Sequence, residues 1–346
     1  MGYNGRMADS PLLNIQDLTV AFPTQEGPAN AINHLSLQIQ PGEVLGLVGE
    51  SGCGKSMTSL AILRLIPSPG QIIHGSISFK EQNLLNLNQE EIRKVRGAQI
   101  ALIPQDPLTS LNPVYTVGDQ IIEVLQLHQG LNRAAAKKRA IELLDMVRIP
   151  NSKERVNDYP HQFSGGMRQR VMIAMALSCT PALLIADEPT TALDVTVQAQ
   201  ILELLRDIRR EHQTAILLIT HDLGVVAEMC DEVAVMYAGR LVEKASVHDL
   251  FKEPKHPYTW GLLNSLPTMN RQRLEPIEGQ PPRLTEIPEG CTFEPRCSKR
   301  MSVCSTLFPL AAEEGSNHQV CCYLYPGSYR PEQRQDQTPP AAAPSL

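Results

Sequence analysis

Apolar residues in the first third of the chain fall into short runs that are separated by turns. These runs are LLNIQDLTVAF, AINHLSLQI, EVLGLVG, GSISF (75–79) and AQIALIPQ (98–105). Short apolar runs bounded by Gly, Pro and polar residues are typical of β-strands. The pattern therefore predicts strands through this region, interrupted by one helix from about Lys55 to Leu65.

The middle of the chain has a helical spacing instead. In IIEVLQLHQ and AAAKKRAIELLDMVRI the apolar residues recur every three or four positions, so residues 107–178 are predicted to be mostly helical. Aliphatic strands return with ALLIAD (182–187) and TAILLIT (214–220), on either side of the helical VQAQILELLRDIRREH. Aliphatic strands that alternate with helices indicate a parallel sheet covered on both faces, and hence an α/β fold.

Composition narrows the class of protein. The 346 residues predict two or three domains. The net charge of −6 and the 4% aromatic content give no reason to expect a nucleic-acid partner. Neither a signal-peptide run nor a stretch of about 18 apolar residues is found, so a cytoplasmic chain is expected. After about Lys255 the sequence becomes Pro-rich and then Cys-rich, and residues 327–346 are expected to be disordered.

A phosphate-binding loop is the first candidate for chemistry. The segment GESGCGKS matches G-x-x-x-x-G-K-[ST] and lies between a predicted strand (Glu43 to Val48) and a predicted helix. Its residues are Gly49, Glu50, Ser51, Gly52, Cys53, Gly54, Lys55 and Ser56. The backbone N–H groups of such a loop point at phosphates, and the helix dipole favours negative charge. Lys55 is expected to pair with the β- and γ-phosphates, and the Ser56 hydroxyl to bind Mg²⁺.

Two carboxylates follow the strand in ALLIADEP (182–189). Asp187 ends an aliphatic strand, so it lies at the carboxyl edge of the sheet, where it can hold Mg²⁺ through water. Glu188 comes next and is placed to polarise an attacking water. Together with the glycine-rich loop, this pair predicts ATP hydrolysis.

The motifs downstream of the loop resemble those of the ATP-binding subunits of ABC transporters. FSGGMRQR (163–170) resembles the signature of that family, with Met167 where many members have Gln. The resemblance implies that Ser164, Gly165 and Gly166 meet the γ-phosphate of ATP bound by the opposite subunit. It also implies metal and water contact for Gln105, a dimer-interface position for Asp194 in TALD, γ-phosphate sensing for His221, and adenine stacking for Phe22.

The C-terminal part resembles a narrower branch of the same family. HPYTWGLLNSLP (256–267), PEGCTFEPRC and VCCYLY are similar to the extension of oligopeptide, dipeptide and nickel importer ATPases. The resemblance implies a P-loop RecA-like ABC ATPase core with a mixed or parallel sheet (11–106 and 179–254), an inserted helical subdomain (107–178) and a small Cys-rich extension (255–326).

The same resemblance implies partners and a location. It predicts a peripheral protein on the cytoplasmic face of the inner membrane that uses ATP and Mg²⁺ to power peptide import. Two membrane-spanning permease subunits, a second and paralogous ATPase subunit in a heterodimer, and a solute-binding protein would complete the transporter. Nickel and glutathione stay open as alternative solutes.

Two other classes of function are disfavoured. DNA-acting ABC ATPases carry a long coiled-coil insertion and ribosome-acting ones carry two cassettes, and this chain shows neither. A metal- or redox-sensing module with a merely regulatory nucleotide site is disfavoured by the presence of Glu188 and His221.

Five of the eight cysteines lie close together near the end of the chain. No C-x2-C pair typical of structural zinc is present. Four converging thiolates would suit an iron–sulfur cluster. Zinc is an alternative metal for them, and a third hypothesis is that the cysteines are plain buried or redox-active thiols. The family resemblance favours a [4Fe–4S] cluster. Its predicted ligands are Cys291, Cys297, Cys304 and Cys322, with Cys321 as a spare.

Overall fold

Strands and helices alternate through the described part of the chain, which comprises residues 10–191, 193–265, 277–315 and 317–331 of a computed structural model. The strands are β1 (Leu13–Thr24), β2 (Gly27–Ile39), β3 (Val44–Val48), β4 (Gln71–Phe79), β5 (Gln82–Asn83), β6 (Ile100–Ile103), β7 (Leu183–Asp187), β8 (Ala215–Ile219), β9 (Glu232–Tyr237), β10 (Arg240–Ser246), β11 (Ala312–Glu313) and β12 (Gln319–Val320). The helices are α1 (Lys55–Ile62), α2 (Gln89–Val95), α3 (Pro107–Ser110), α4 (Val117–Gln129), α5 (Arg133–Met146), α6 (Ser152–Arg155), α7 (Gly165–Leu177), α8 (Val195–His212), α9 (Leu223–Met229), α10 (Val247–Lys252) and α11 (Pro257–Asn264).

The larger sheet contains the predicted parallel strands. Its order is β11-β12-β10-β9-β3-β8-β7-β6, and the five strands from β9 to β6 run parallel while the other end is antiparallel. Every residue of β3, β7 and β8 is buried, which explains why these strands read as continuous aliphatic runs. The predicted α/β sheet is confirmed as a mixed sheet.

The two faces of this sheet belong to two apolar cores. Along β3, Val44 and Val48 face one core while Leu45 and Leu47 face the other, as the two-residue period of a strand requires. The first core is completed by helices α4, α5, α7 and α8. The second is completed by α1 and by a four-stranded antiparallel sheet in the order β2-β1-β4-β5. The phosphate loop therefore starts from a strand covered on both faces.

The region between β6 and β7 is helical, as its apolar spacing predicts. Its longer helices begin at polar N-caps: Thr116 accepts from the Asp119 N–H, and Ser164 accepts from the Met167 N–H. Helix α1 ends at Ile62 rather than Leu65, because Arg64 takes a left-handed conformation (φ 52°) that stops the helix. The division of the chain into a core and an inserted helical subdomain stays a prediction.

A buried carboxylate ties the residues after 255 to the sheet. Glu243 of β10 is 1% exposed and accepts hydrogen bonds from the N–H groups of Lys255 and His256. It also pairs with the ring nitrogen Nε2 of His318 at 2.7 Å. Burial lowers the pKa of His256 to about 4, so this imidazole is neutral at neutral pH.

Regular structure is sparse after α11. Ser328 and Tyr329 are buried although they fall within the predicted disordered tail, and residues 332–346 of that tail lie outside the described residues. In the ranges that the structure describes, no helix combines the length and the apolar character that crossing a membrane demands.

Replacing Glu243 by Gln is expected to destabilise the fold. The two Glu243 oxygens accept from two backbone N–H groups and lie beside His318, whereas a Gln amide offers only one acceptor oxygen, so at least one buried donor loses its acceptor. A buried donor left without its acceptor costs about 1–3 kcal/mol. Urea unfolding at neutral pH should show this loss for Glu243→Gln. The control, Glu253→Gln, alters a carboxylate that is 77% exposed on the same segment. Equal unfolding curves for the two variants would contradict this role of Glu243.

Candidate active site

Glycines shape the loop between β3 and α1. Gly49, Gly52 and Gly54 have φ values of 151°, 78° and 106°, which L side chains rarely adopt. A Cβ at Gly49 would lie 2.2 Å from the Met236 carbonyl oxygen, and one at Gly54 would lie 2.5 Å from that of Ala31. No side chain caps the N-terminus of α1. The backbone thus approaches its neighbours closely and leaves helix N–H groups for an anion.

Lys55 places a positive charge within this loop. Its side-chain Nζ donates to the carbonyl oxygens of Gly49 (2.8 Å) and Glu50 (3.0 Å), and the residue is 6% exposed. The loop therefore holds the ammonium group beside the α1 N-terminus, where a phosphate would pair with it.

The two predicted oxygen ligands of Mg²⁺ contact each other across the sheet. The Ser56 hydroxyl donates to Asp187 Oδ1 at 3.1 Å. Burial raises the pKa of Asp187 above its ordinary value, and the neighbouring Glu188 charge acts in the same direction. A hydroxyl and a carboxylate at the phosphate loop are the hard oxygen donors that Mg²⁺ prefers, so these residues fit the ion.

Three predicted catalytic residues meet next to Asp187. Glu188 Oε2 accepts from Gln105 Nε2 at 2.9 Å and from the Thr191 hydroxyl at 2.8 Å, while Oε1 lies 3.2 Å from His221 Nδ1. Burial would raise the pKa of Glu188, but the hydrogen bonds of Thr191 and His221 and the charges of His221 and Lys55 outweigh it and lower the pKa. The carboxylate is therefore ionised at neutral pH and can polarise a water molecule.

The signature residues lie away from this cluster. Ser164 and Gly165 are exposed at the start of α7, and Gly166 packs against Val197 of α8. Asp194 caps α8 by accepting from the Val197 N–H at 2.9 Å, while Ala192 of the same segment is outside the described residues. Across the described ranges, no hydrogen bond joins Ser164, Gly165 or Gly166 to the phosphate loop.

Phe22 lies on β1 in the antiparallel sheet. Its ring is half-buried and packs against the second core, and a Cβ at Gly70 would lie 2.5 Å from it. Its predicted stacking on adenine stays a prediction.

The prediction of a [4Fe–4S] cluster is wrong. Cys291, Cys297, Cys304 and Cys322 do line one cavity, but its volume is about 10 Å³, which is roughly what one water molecule needs. Among the residues that the structure describes, no group of three or more His, Cys, Asp or Glu side chains could hold a metal ion. The same finding removes the zinc alternative.

Burial keeps the clustered thiols in their neutral form. Burial raises the pKa of Cys291 to about 12, and burial also raises the pKa values of Cys297, Cys304 and Cys322. These groups are therefore protonated thiols at neutral pH. Cys321, with a pKa raised to about 12 by burial, behaves in the same way.

Sequence reasoning missed two residues that contact the phosphate loop. The Tyr258 hydroxyl accepts a hydrogen bond from the Glu50 N–H, and the Arg296 guanidinium pairs with the Glu50 carboxylate. Arg296 is 246 positions away from Glu50 in the chain, so no local spacing could have indicated the contact.

The buried thiols are expected to react slowly with iodoacetamide in the folded chain. A pKa of about 12 leaves roughly a thousandth of the thiolate that an unperturbed cysteine has at pH 7.5, and the thiolate is the nucleophile. Mass spectrometry of labelled peptides should show Cys291 and Cys321 alkylated at least about 100-fold more slowly in buffer than in urea. Equal rates in the two solvents would contradict the buried, protonated state of these thiols.

Comparisons with known proteins agree with the geometry. Residues 32–191 match the family described as ABC transporter, and residues 242–304 match the one described as oligopeptide/dipeptide transporter, C-terminal region. The chain is 51% identical over 312 residues to the oligopeptide transport ATP-binding protein OppD of Salmonella typhimurium, covering 90% of this chain and 93% of OppD. It is 50% identical over 316 residues to the dipeptide transport ATP-binding protein DppD of Bacillus subtilis, covering 90% and 94%.

A solved structure shows the same fold. The ATP-binding cassette MJ0796, solved as a dimer in a post-hydrolysis state with ADP and Pi, superposes with a TM-score of 0.62 at 26% identity. The superposition covers 68% of this chain and 98% of the cassette. The predicted family and the predicted ATPase activity are thereby confirmed. The chain belongs to the ABC transporter family, as an ATP-binding and ATP-hydrolysing subunit of its oligopeptide and dipeptide branch.

Proposed function

We propose that this chain hydrolyses ATP to power the import of dipeptides or oligopeptides. The main support for ATP hydrolysis is that the side chains of Gln105 and His221 contact Glu188. This cluster lies next to the hydrogen bond between Ser56 and Asp187. The peptide part is supported by the names of the relatives, which are oligopeptide and dipeptide transport proteins that align along nine-tenths of this chain.

In the proposed mechanism the phosphate loop binds the triphosphate. Lys55 and the N–H groups at the start of α1 pair with the phosphate oxygens. Ser56, Asp187 and Gln105 would hold Mg²⁺, which neutralises charge on the β- and γ-phosphates when bound. Glu188 accepts a hydrogen bond from the attacking water, and His221 keeps the Glu188 carboxylate oriented and ionised.

The exposed signature residues suit a sandwich of two ATPase subunits. Ser164 and Gly165 face solvent in this chain, and Val195, next to Asp194, is 84% exposed. In the proposed arrangement a second and paralogous ATPase covers these residues, and each signature completes the nucleotide site of the other subunit. ATP binding closes the pair and hydrolysis reopens it.

The remaining partners follow from the proposed role. Two membrane-spanning permease subunits would receive the motion of the ATPase pair, and a solute-binding protein would deliver the peptide. The chain would lie peripherally on the cytoplasmic face of the inner membrane. In this scheme residues 11–106 and 179–254 form the ATPase core, 107–178 the helical subdomain, and 255–326 the C-terminal extension.

Replacing Glu188 by Gln should separate ATP binding from hydrolysis. The amide keeps the shape of the side chain but cannot take up a proton from water, so the turnover number should fall at least about 100-fold. Phosphate release measures turnover, and a fluorescent ATP analogue measures binding, which should persist. Glu90→Gln, a change to an exposed carboxylate of α2, is the matched control. Unchanged ATPase activity in Glu188→Gln would overturn the catalytic assignment.

Purification of the tagged chain from native membranes should recover its partners. We expect two membrane-spanning proteins and a second ATPase, identified by mass spectrometry. Cells carrying only the Glu188→Gln variant should lose uptake of a labelled dipeptide or oligopeptide, while an unlinked amino-acid uptake system serves as the control. Intact peptide uptake in those cells would refute the proposed substrate and leave the ATPase assignment standing.

A further inference from the structure

We propose that Arg296 is a positioning residue for ATP binding. It holds the Glu50 side chain of the phosphate loop in place and neutralises its charge. Arg296 lies in the C-terminal region matched over residues 242–304, and Glu50 lies in the phosphate loop. The inference rests on ATP binding and hydrolysis by this chain, whichever solute is imported.

The contact between the two side chains is bidentate. The two terminal nitrogens of Arg296 lie 2.8 Å from Glu50 Oε2 and 3.1 Å from Glu50 Oε1. The side chain of Arg296 is 6% exposed and that of Glu50 is 25% exposed. A buried guanidinium that faces both oxygens of one carboxylate fixes the direction as well as the position of that carboxylate.

Hydrogen bonds and two aromatic rings fix the guanidinium of Arg296 in place. Its Nε donates to the Glu278 carbonyl oxygen at 2.9 Å, and a terminal nitrogen donates to the Ile277 carbonyl oxygen at 3.2 Å. The other terminal nitrogen lies 3.2 Å from the Tyr237 hydroxyl, and the guanidinium lies 5.8 and 5.9 Å from the ring centres of Tyr237 and Phe293. The guanidinium is therefore a fixed anchor for the loop.

Tyr258 anchors the same loop residue through the backbone. Its buried hydroxyl accepts from the Glu50 N–H at 2.8 Å. Its ring packs against Tyr237 and Phe293, with ring centres 4.6 and 5.4 Å apart. The region matched by the oligopeptide/dipeptide C-terminal family thus holds both the main chain and the side chain of Glu50.

Fixing Glu50 affects the phosphate site in two ways. The Glu50 carbonyl oxygen is one of the two that hold the Lys55 ammonium, so the position of Glu50 sets that of the charge that meets the phosphates. A carboxylate within the loop would also repel a polyphosphate, and the Arg296 charge cancels that repulsion. Both effects concern the affinity for ATP more than the rate of the chemical step.

The test compares Arg296→Gln in two backgrounds of the full chain. With Glu50 present, Arg296→Gln should raise the KM for ATP about tenfold and weaken the binding of a fluorescent ATP analogue by a similar factor. The kcat should change less than about twofold. With Glu50→Gln, the same change should raise KM less than about twofold, since there is no carboxylate left to neutralise. Arg296→Lys should give a KM between those of the wild type and Arg296→Gln. A single ammonium keeps the positive charge but cannot make the bidentate contact with both carboxylate oxygens.

These outcomes distinguish positioning from a purely structural role. If Arg296 served only to hold the carbonyls of Ile277 and Glu278, its loss would have the same effect in both backgrounds, and that result would overturn the proposal. An unchanged KM would overturn it too. Arg300→Gln, four residues along in the same region, changes a side chain that is 64% exposed and pairs with Glu294; it is the matched control and should keep the wild-type KM.

A second variant covers the case in which Arg296→Gln does not fold. Tyr258→Phe keeps the aromatic packing and removes the hydroxyl that accepts from Glu50, so KM should rise about threefold or more at an unchanged kcat. A wild-type KM in folded Tyr258→Phe would refute the anchoring of the loop by the C-terminal region. Absence of ATPase activity in the unmodified chain would instead count against the assigned activity itself.

Discussion

The site depends on the parallel alignment of three adjacent buried strands. β3 and β7 both pair with β8, in a register that sets Leu47 and Asp187 opposite Ile219. Because parallel strands end at the same edge, the phosphate loop, the two carboxylates and His221 emerge side by side. The side chains of the site lie close together because their residues are at, or just after, the carboxyl ends of these strands. Every residue of these strands is buried, so packing on both faces holds their alignment.

A strand followed by a glycine-rich loop and a helix is a local pattern, so it can be predicted from the sequence. The same holds for Asp187 and Glu188, which end an aliphatic run. Their convergence follows from the topology that the alternating strands and helices imply. Thr191, which donates to Glu188, has no such signal, because a Thr in a turn is common and its orientation depends on the left-handed backbone of Glu188 (φ 48°).

The C-terminal region shows where local patterns stop being informative. The clustering of the cysteines and the family resemblance together predicted that four of them would converge, and these four do line one cavity. Spacing could not give the size of that cavity, which is set by packing of Phe293, Met301 and Tyr323 around the thiols. The pairing of Arg296 with Glu50 is likewise a product of tertiary packing, since an arginine near a cysteine predicts nothing about a loop at the other end of the chain.

The sequence separation of Glu50 and Arg296 has a consequence for biosynthesis. The phosphate loop and its flanking strand are made early, whereas its anchor lies 246 residues later. At about 5–20 residues per second, a ribosome needs roughly 12–50 s to make the stretch between them. During that interval the nascent loop has its glycines and its lysine but lacks the guanidinium that neutralises Glu50. The nucleotide site therefore reaches its final form only after residue 296 has been synthesised.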